Sequence, residues 1–304
     1  VDGVGVTADG LGLRGPRGWA FRGVDVDAEP ASLIAIEGPS GSGRTSLLLA
    51  LTGRMRTTEG TAAVGTARLP RQMAAVRRAS ALAHVAGVTD LEPALTVGEH
   101  LRERALLQRR FDGSVQDLLR PRAQREARTT SQIDAALAAA GLDREALPKG
   151  TRTAVRDLER IEALRLSVAL ALIGRPRLLG VDDIDLKLTD AERTEVWTLL
   201  RSLTEAGTTV LAVCGGEAPE DAVRVRTDTA PDSDPDPNSD PDSDPDAGSP
   251  AAQDGVRARS KEETVPTGSG KDDGHVPESG QGGTDARTDD DEERAHAHAE
   301  TGRA

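Results

Sequence analysis

Gly38, Pro39, Ser40, Gly41, Ser42, Gly43, Arg44, Thr45 and Ser46 have the types and spacing needed to hold a phosphate. They follow G-x-x-x-x-G-K-[ST], with arginine where the pattern has lysine. The glycines let a loop curl until successive backbone N–H groups point inward at phosphate oxygens. A helix that starts there adds the positive end of its dipole. Thr45, at the helix start, offers a hydroxyl to Mg²⁺. Arg44 changes the cation's geometry: lysine brings a compact point charge, whereas a guanidinium is longer, planar and suited to bidentate partners. It can still neutralise phosphate, but it alters how a terminal phosphate is aligned for in-line attack.

A second station lies at 177–183, Arg-Leu-Leu-Gly-Val-Asp-Asp. A short apolar strand ending in Asp182 would deliver a carboxylate to the Mg²⁺ shell, so Thr45 and Asp182 are the expected metal ligands. Asp183 follows as the second carboxylate.

These side chains need a scaffold, and the chain alternates apolar strand patterns with helical ones. That order predicts an α/β sheet with helices on its faces. Strands are expected at 21–28, 33–37, 61–66, 79–85, 178–181, 208–213 and 222–225. Helices are expected at 45–52, through 96–141 with an Arg-rich middle near 120–128, at 157–173 and at 190–206. The 157–173 helix stops at Gly174-Arg175-Pro176, a combination that ends helices. Trp19 is expected to pack in the core.

The net charge of −13 hides a division within the chain. Of 51 acidic and 38 basic residues, 21 and 7 lie in 227–304, leaving 30 against 31 in the rest. An electroneutral body has no electrostatic footprint for nucleic acid. The stretch 227–304 has no Leu, Ile, Phe, Trp, Met or Tyr and opens on an Asp-Pro-Ser quasi-repeat at 231–246. It is expected to be disordered, because it cannot bury enough apolar surface to offset its ordering entropy. Carboxylates two residues apart could share Ca²⁺, but no glycine stands where a coordinating turn would need one. His296 and His298 read as tail composition rather than as a metal site. Cys214 is the single cysteine, which excludes a disulfide framework. There is no apolar run of membrane-spanning length and no signal-peptide pattern, so the expected location is cytoplasmic. Arginine outnumbers lysine 34 to 4, which weakens the inference from any single Arg-for-Lys exchange.

Over nearly all of 1–226 the chain resembles the ATP-binding subunits of ABC transporters. Residues 23–38 look like the strand pair leading into that family's P-loop, and 91–101 (Leu-Glu-Pro-Ala-Leu-Thr-Val-Gly-Glu-His-Leu) like the entry to its helical subdomain. Residues 169–182 look like its long helix and Walker B strand, and 207–213 like its last core strand. The resemblance implies an α/β P-loop NTPase sheet of the ABC cassette type, with a helical subdomain at about 92–165 inside a 1–226 domain and the disordered acidic tail after it. It implies ATP and Mg²⁺ as ligands, a membrane permease on another chain as partner, and a homodimer or a heterodimer with another cassette. The location would then be cytoplasmic, at the inner face of the membrane. Asp183 would be the catalytic carboxylate, in the place of the family's glutamate and one methylene shorter.

The same resemblance implies losses. The LSGGQ signature falls on Leu158-Glu159-Arg160-Ile161-Glu162, the Q-loop glutamine on Gly87 and the switch histidine on Gly215. No aromatic stands where adenine would stack; Trp19 is the nearest candidate, with core packing as its expected role. Two functional classes follow: a weak ATPase subunit, or a non-hydrolysing scaffold or regulatory module that assembles with such a complex. No N-K-x-D pattern supports a GTPase.

Overall fold

Parallel strands buried on both faces need cover on both sides, and this chain supplies two different covers. The computed structural model describes residues 2–16, 18–112 and 121–227. In chain order the strands are β1 (Val6–Gly15), β2 (Gly18–Ala28), β3 (Leu33–Glu37), β4 (Glu59–Val64), β5 (Ala67–Leu69), β6 (Ser80–Ala83), β7 (Leu178–Val181), β8 (Thr209–Cys214) and β9 (Val223–Arg226). The helices are α1 (Arg44–Leu51), α2 (Met73–Ala79), α3 (Val97–Asp112), α4 (Arg122–Ala139), α5 (Arg160–Leu172) and α6 (Asp190–Glu205). A parallel sheet runs β6-β7-β8-β3-β9, and an antiparallel one runs β2-β1-β4-β5.

Strand alternation divides the parallel sheet between two cores. Ile34 and Ile36 of β3, with Leu211 and Val213 of β8, face α1 and the antiparallel layer, where they meet Leu47, Leu48, Leu11 and Phe21. Leu33, Ala35, Val210 and Ala212 face the other way, towards Leu164 and Val168 of α5 and Val196 and Leu200 of α6. Leu101 of α3 and Leu137 of α4 join that second core. Each fully buried side chain of this size contributes about 1.5–3 kcal/mol relative to exposure.

The mixed α/β architecture agrees with the expectation, and the differences from it are local. β1 was not foreseen; its pairing with β2 carries three register shifts that break the apolar alternation. The strand expected at 79–85 is β6, cut to four residues and preceded by α2. The helix expected from 157 starts at Arg160, because Val155–Asp157 forms a short 3-10 turn instead. Among the described residues the helical stretch 96–141 shows α3 and α4, and part of its Arg-rich middle lies outside them. So does the expected tail, except Thr227, which belongs to the body: it is fully buried and donates from its N–H to the Glu37 carbonyl at 2.9 Å.

Candidate nucleotide site

β3, β7 and β8 run parallel and end side by side, so the loops that leave them converge. Ligands of open α/β sheets bind at such carboxyl ends. Glu37 ends β3 opposite Cys214 of β8, and Val181 of β7 pairs with Ala212. Residues 38–43 cross from β3 to α1, and Leu47 N–H donates to the Gly43 carbonyl at 2.8 Å. Gly43 is the N-cap, at φ 81°. A Cβ there would collide with the Ala20 carbonyl of β2, so both the backbone angle and the available space require glycine. Pro39, Ser40 and Gly41 are exposed at the loop tip, while Gly38, Gly43, Arg44, Thr45 and Ser46 are half-buried. Ser42 is fully buried, and its hydroxyl lies 2.7 Å from Thr227 Oγ1.

The loop and β7 meet through the two expected metal ligands. Thr45 Oγ1 donates to Asp182 Oδ2 at 2.8 Å. Asp182 is only 3% exposed. Burial raises its pKa above the ordinary aspartate value, and Asp183 raises it further; the Thr45 hydroxyl, the Asp183 N–H and Arg44 oppose the shift. A hydroxyl and a desolvated carboxylate in contact, with little cationic compensation, are a donor set that suits a hard cation such as Mg²⁺.

Asp183 follows in the left-handed region at φ 44°, its N–H donating to Asp182 Oδ1 at 3.1 Å. Arg44 Nη1 donates to the Cys214 carbonyl at 2.6 Å. The thiol of Cys214 is pushed up to about 12 by burial and by the nearby Asp185 and Glu37 carboxylates, so it stays protonated.

Other positions singled out by the sequence, and one that was not, lie around this site. Gly87, matched to a glutamine by the resemblance, lies in an exposed turn and donates to Asp90 Oδ2. His84 is the residue that leaves β6 level with Asp182. It has φ 54°, and its N–H donates to Ser167 Oγ at 2.7 Å. Burial lowers its pKa, the Asp183 carboxylate opposing, which favours neutral imidazole. Sequence reading missed His84 because it let the strand run on to Val85.

At the signature segment, Ile161 is 7% exposed and packs into the helical core, so it does not face outward. Glu159 is exposed, and its N–H donates to Glu162 Oε2 at 2.8 Å. Trp19 is half-exposed rather than in the core, with Arg22 at 4.5 Å and Arg14 at 5.6 Å from its ring centroid. Its ring lies against Gly12, where a Cβ would come within 3.2 Å of it.

The comparisons with known proteins agree with this geometry. The family model described as ABC transporter matches residues 21–185. The chain belongs to the ABC transporter family. An Fe(3+) ions import ATP-binding protein of Streptomyces avermitilis is 33% identical over 62% of this chain and 49% of its own length. The ABC transporter ATP-binding/permease protein Rv1747 of Mycobacterium tuberculosis is 30% identical over 63% of this chain and 20% of its own. The chain therefore spans about half the length of the first relative and a fifth of the second. Among solved structures, the cassette MJ0796, a dimer bound to ADP and Pi, superposes with TM-score 0.53 at 21% identity over 69% of this chain and 88% of its own. CbiO1 of Clostridium perfringens superposes at 0.56, with 17% identity over 69% and 78% of the two chains. Both share the ABC cassette fold.

A separate concavity of about 1150 Å³ lies between α2, β6 and α3 and shares no residue with the phosphate loop. Arg54, Arg77, Arg78 and Arg104 line it together with Val88 and Leu107, and Asp90, Glu92 and Glu103 also border it. Burial, with Arg77 and Arg104 nearby, pushes the Arg54 guanidinium down to about 10.

Proposed function

We propose that this chain is the ATP-binding subunit of an ABC-transporter complex. It takes up Mg-ATP through residues 38–46 and hydrolyses it slowly or not at all by itself. The observation that supports the reading is the 2.8 Å contact between Thr45 and Asp182, which brings the two expected Mg²⁺ ligands from loop and strand together. Thr45 and Asp182 would hold Mg²⁺, which would offset the negative charge of the phosphates. The loop N–H groups and the start of α1 would hold the phosphates, and Arg44 would add a donor fork. Asp183 is the candidate for orienting water, with a side chain one methylene shorter than the family's glutamate and a backbone in the left-handed region.

In a cassette dimer the partner's signature segment would complete each site, and here Glu159 would bring a carboxylate towards phosphate. Loss of one preorganised donor commonly costs about 2.7–4 kcal/mol of transition-state stabilisation. The non-hydrolysing scaffold is the second reading, favoured by Asp183 and Glu159 together. A membrane permease on another chain would be the partner that keeps the subunit at the cytoplasmic face.

Calorimetry with Mg-ATP should give binding heat for the wild type and none for Gly43→Asp. Phosphate release should stay near background for the isolated chain. It should rise only partly in Arg44→Lys/Asp183→Glu, and further when an intact partner cassette is added. No heat from the wild type overturns the nucleotide reading, and vigorous turnover abolished by Asp182→Asn overturns the weak-hydrolysis reading.

A further inference from the structure

The turn after β8 is packed as though a side chain were missing from it. Gly215 follows Cys214 and is not in the left-handed region, so its backbone does not demand glycine; what glycine leaves there is room. A Cβ at 215 would stand 3.4 Å from Arg44 Nη1 and 3.7 Å from Asp185 Oδ2. A longer side chain would meet a guanidinium from the loop and a carboxylate from the segment joining β7 to α6.

Both of these groups are fastened in place. Arg44 is held by the Cys214 carbonyl. Asp185 accepts from Gly215 N–H at 2.9 Å and from Gly216 N–H at 2.7 Å. Two backbone donors on one carboxylate are a strong, charge-assisted arrangement. Asp185 sits between two left-handed residues, Asp183 and Lys187 at φ 44° and 60°, in a tightly wound segment. A guanidinium has five N–H donors. With one given to Cys214, Arg44 keeps others for phosphate oxygens, a division that an ammonium makes less well because it lacks the planar fork.

We propose that Arg44 and Gly215 are a matched pair, with Asp185 as their positioning residue. The guanidinium stands on the β8 flank of the loop and reads the terminal phosphate from there, in the room that Gly215 leaves. This rests on the nucleotide-binding reading above.

The test is a double-mutant cycle read by calorimetry with Mg-ATP and Mg-ADP on the full chain. Gly215→His in the wild-type background should weaken Mg-ATP binding by about tenfold, since contacting residues couple strongly. Mg-ADP, which lacks the terminal phosphate, should lose much less. In an Arg44→Lys background the same change should cost little. Gly215→Ala, whose Cβ would stand at ordinary contact distance, should lose little in either background, so a large loss there would mark a backbone effect and overturn the pair. Asp185→Ala should lower Mg-ATP affinity more than Asp185→Asn, which keeps an acceptor for the turn. Thermal midpoints without nucleotide should show the same non-additivity between positions 44 and 215. Equal costs in both backgrounds, or equal losses for ATP and ADP, overturn the pair even when the wild type binds ATP. If the wild type binds neither nucleotide while the midpoints stay coupled, the nucleotide reading is overturned, and with it the phosphate role of Arg44.

Discussion

At Asp182 two demands oppose each other. Packing β7 into the sheet buries its carboxyl, which favours the neutral form, whereas holding a cation requires the charged form. Because its pKa is raised in the folded state, Asp182 favours folding most at pH below its unfolded value. That contribution is lost as pH rises through the raised value. Asp182→Asn removes the titration. Its thermal midpoint, compared with that of the ligand-free wild type, should differ little in acid and should be higher at neutral pH. The gap should open through the range where the carboxyl ionises, while Mg²⁺-dependent nucleotide binding falls. A midpoint gap that does not vary with pH would remove burial as the cause of the shift. Asp182 and the loop were legible in the sequence because their motifs fix spacing within a few consecutive residues. His84 was not, since its place depends on where β6 stops, and a left-handed residue at a strand end leaves no mark in apolar periodicity.

Elements were legible where one face or one cap decided them. α6 begins at Thr189, whose hydroxyl accepts from Glu192 N–H while Glu192 Oε2 accepts from Thr189 N–H at 2.7 Å. The helix then buries Val196, Leu200 and Leu203. Thr189→Ala should cost about 1 kcal/mol in denaturant unfolding, with the slope unchanged. A loss within error would mean that Glu192 and water satisfy the helix start without the hydroxyl. β1 escaped the sequence reading for the opposite reason, since its register shifts interrupt the two-residue repeat that identifies a strand. The start of α5 moved three residues because Val155–Asp157 takes a tighter turn, which a run of apolar and charged residues does not distinguish from a helix.

On the scale of the whole molecule, composition divides the sequence into an electroneutral 1–226 and an acidic 227–304, and the first residue of the second stretch packs into the body. Thr227, counted with the extension, is buried against Glu37 and Ser42. A chain ending at Thr227 should keep the thermal midpoint of the full chain, because 228–304 has none of the large apolar residues that build cores. A chain ending at Arg226 should lose about 1 kcal/mol, the usual net value of a buried hydrogen bond. Equal midpoints for the two truncations would show that Thr227 adds nothing, and a large drop for both would assign stability to the extension. The Ser42–Thr227 bond also gives the body a mechanical character. The chain leaves β9 at a residue that bonds both Glu37 at the end of β3 and Ser42 of the candidate phosphate loop, so tension on whatever follows is delivered to the start of that loop. In a pulling experiment from the C-terminal side, the loop should give way before the sheet, and nucleotide should be lost at forces that leave β3 and β8 paired.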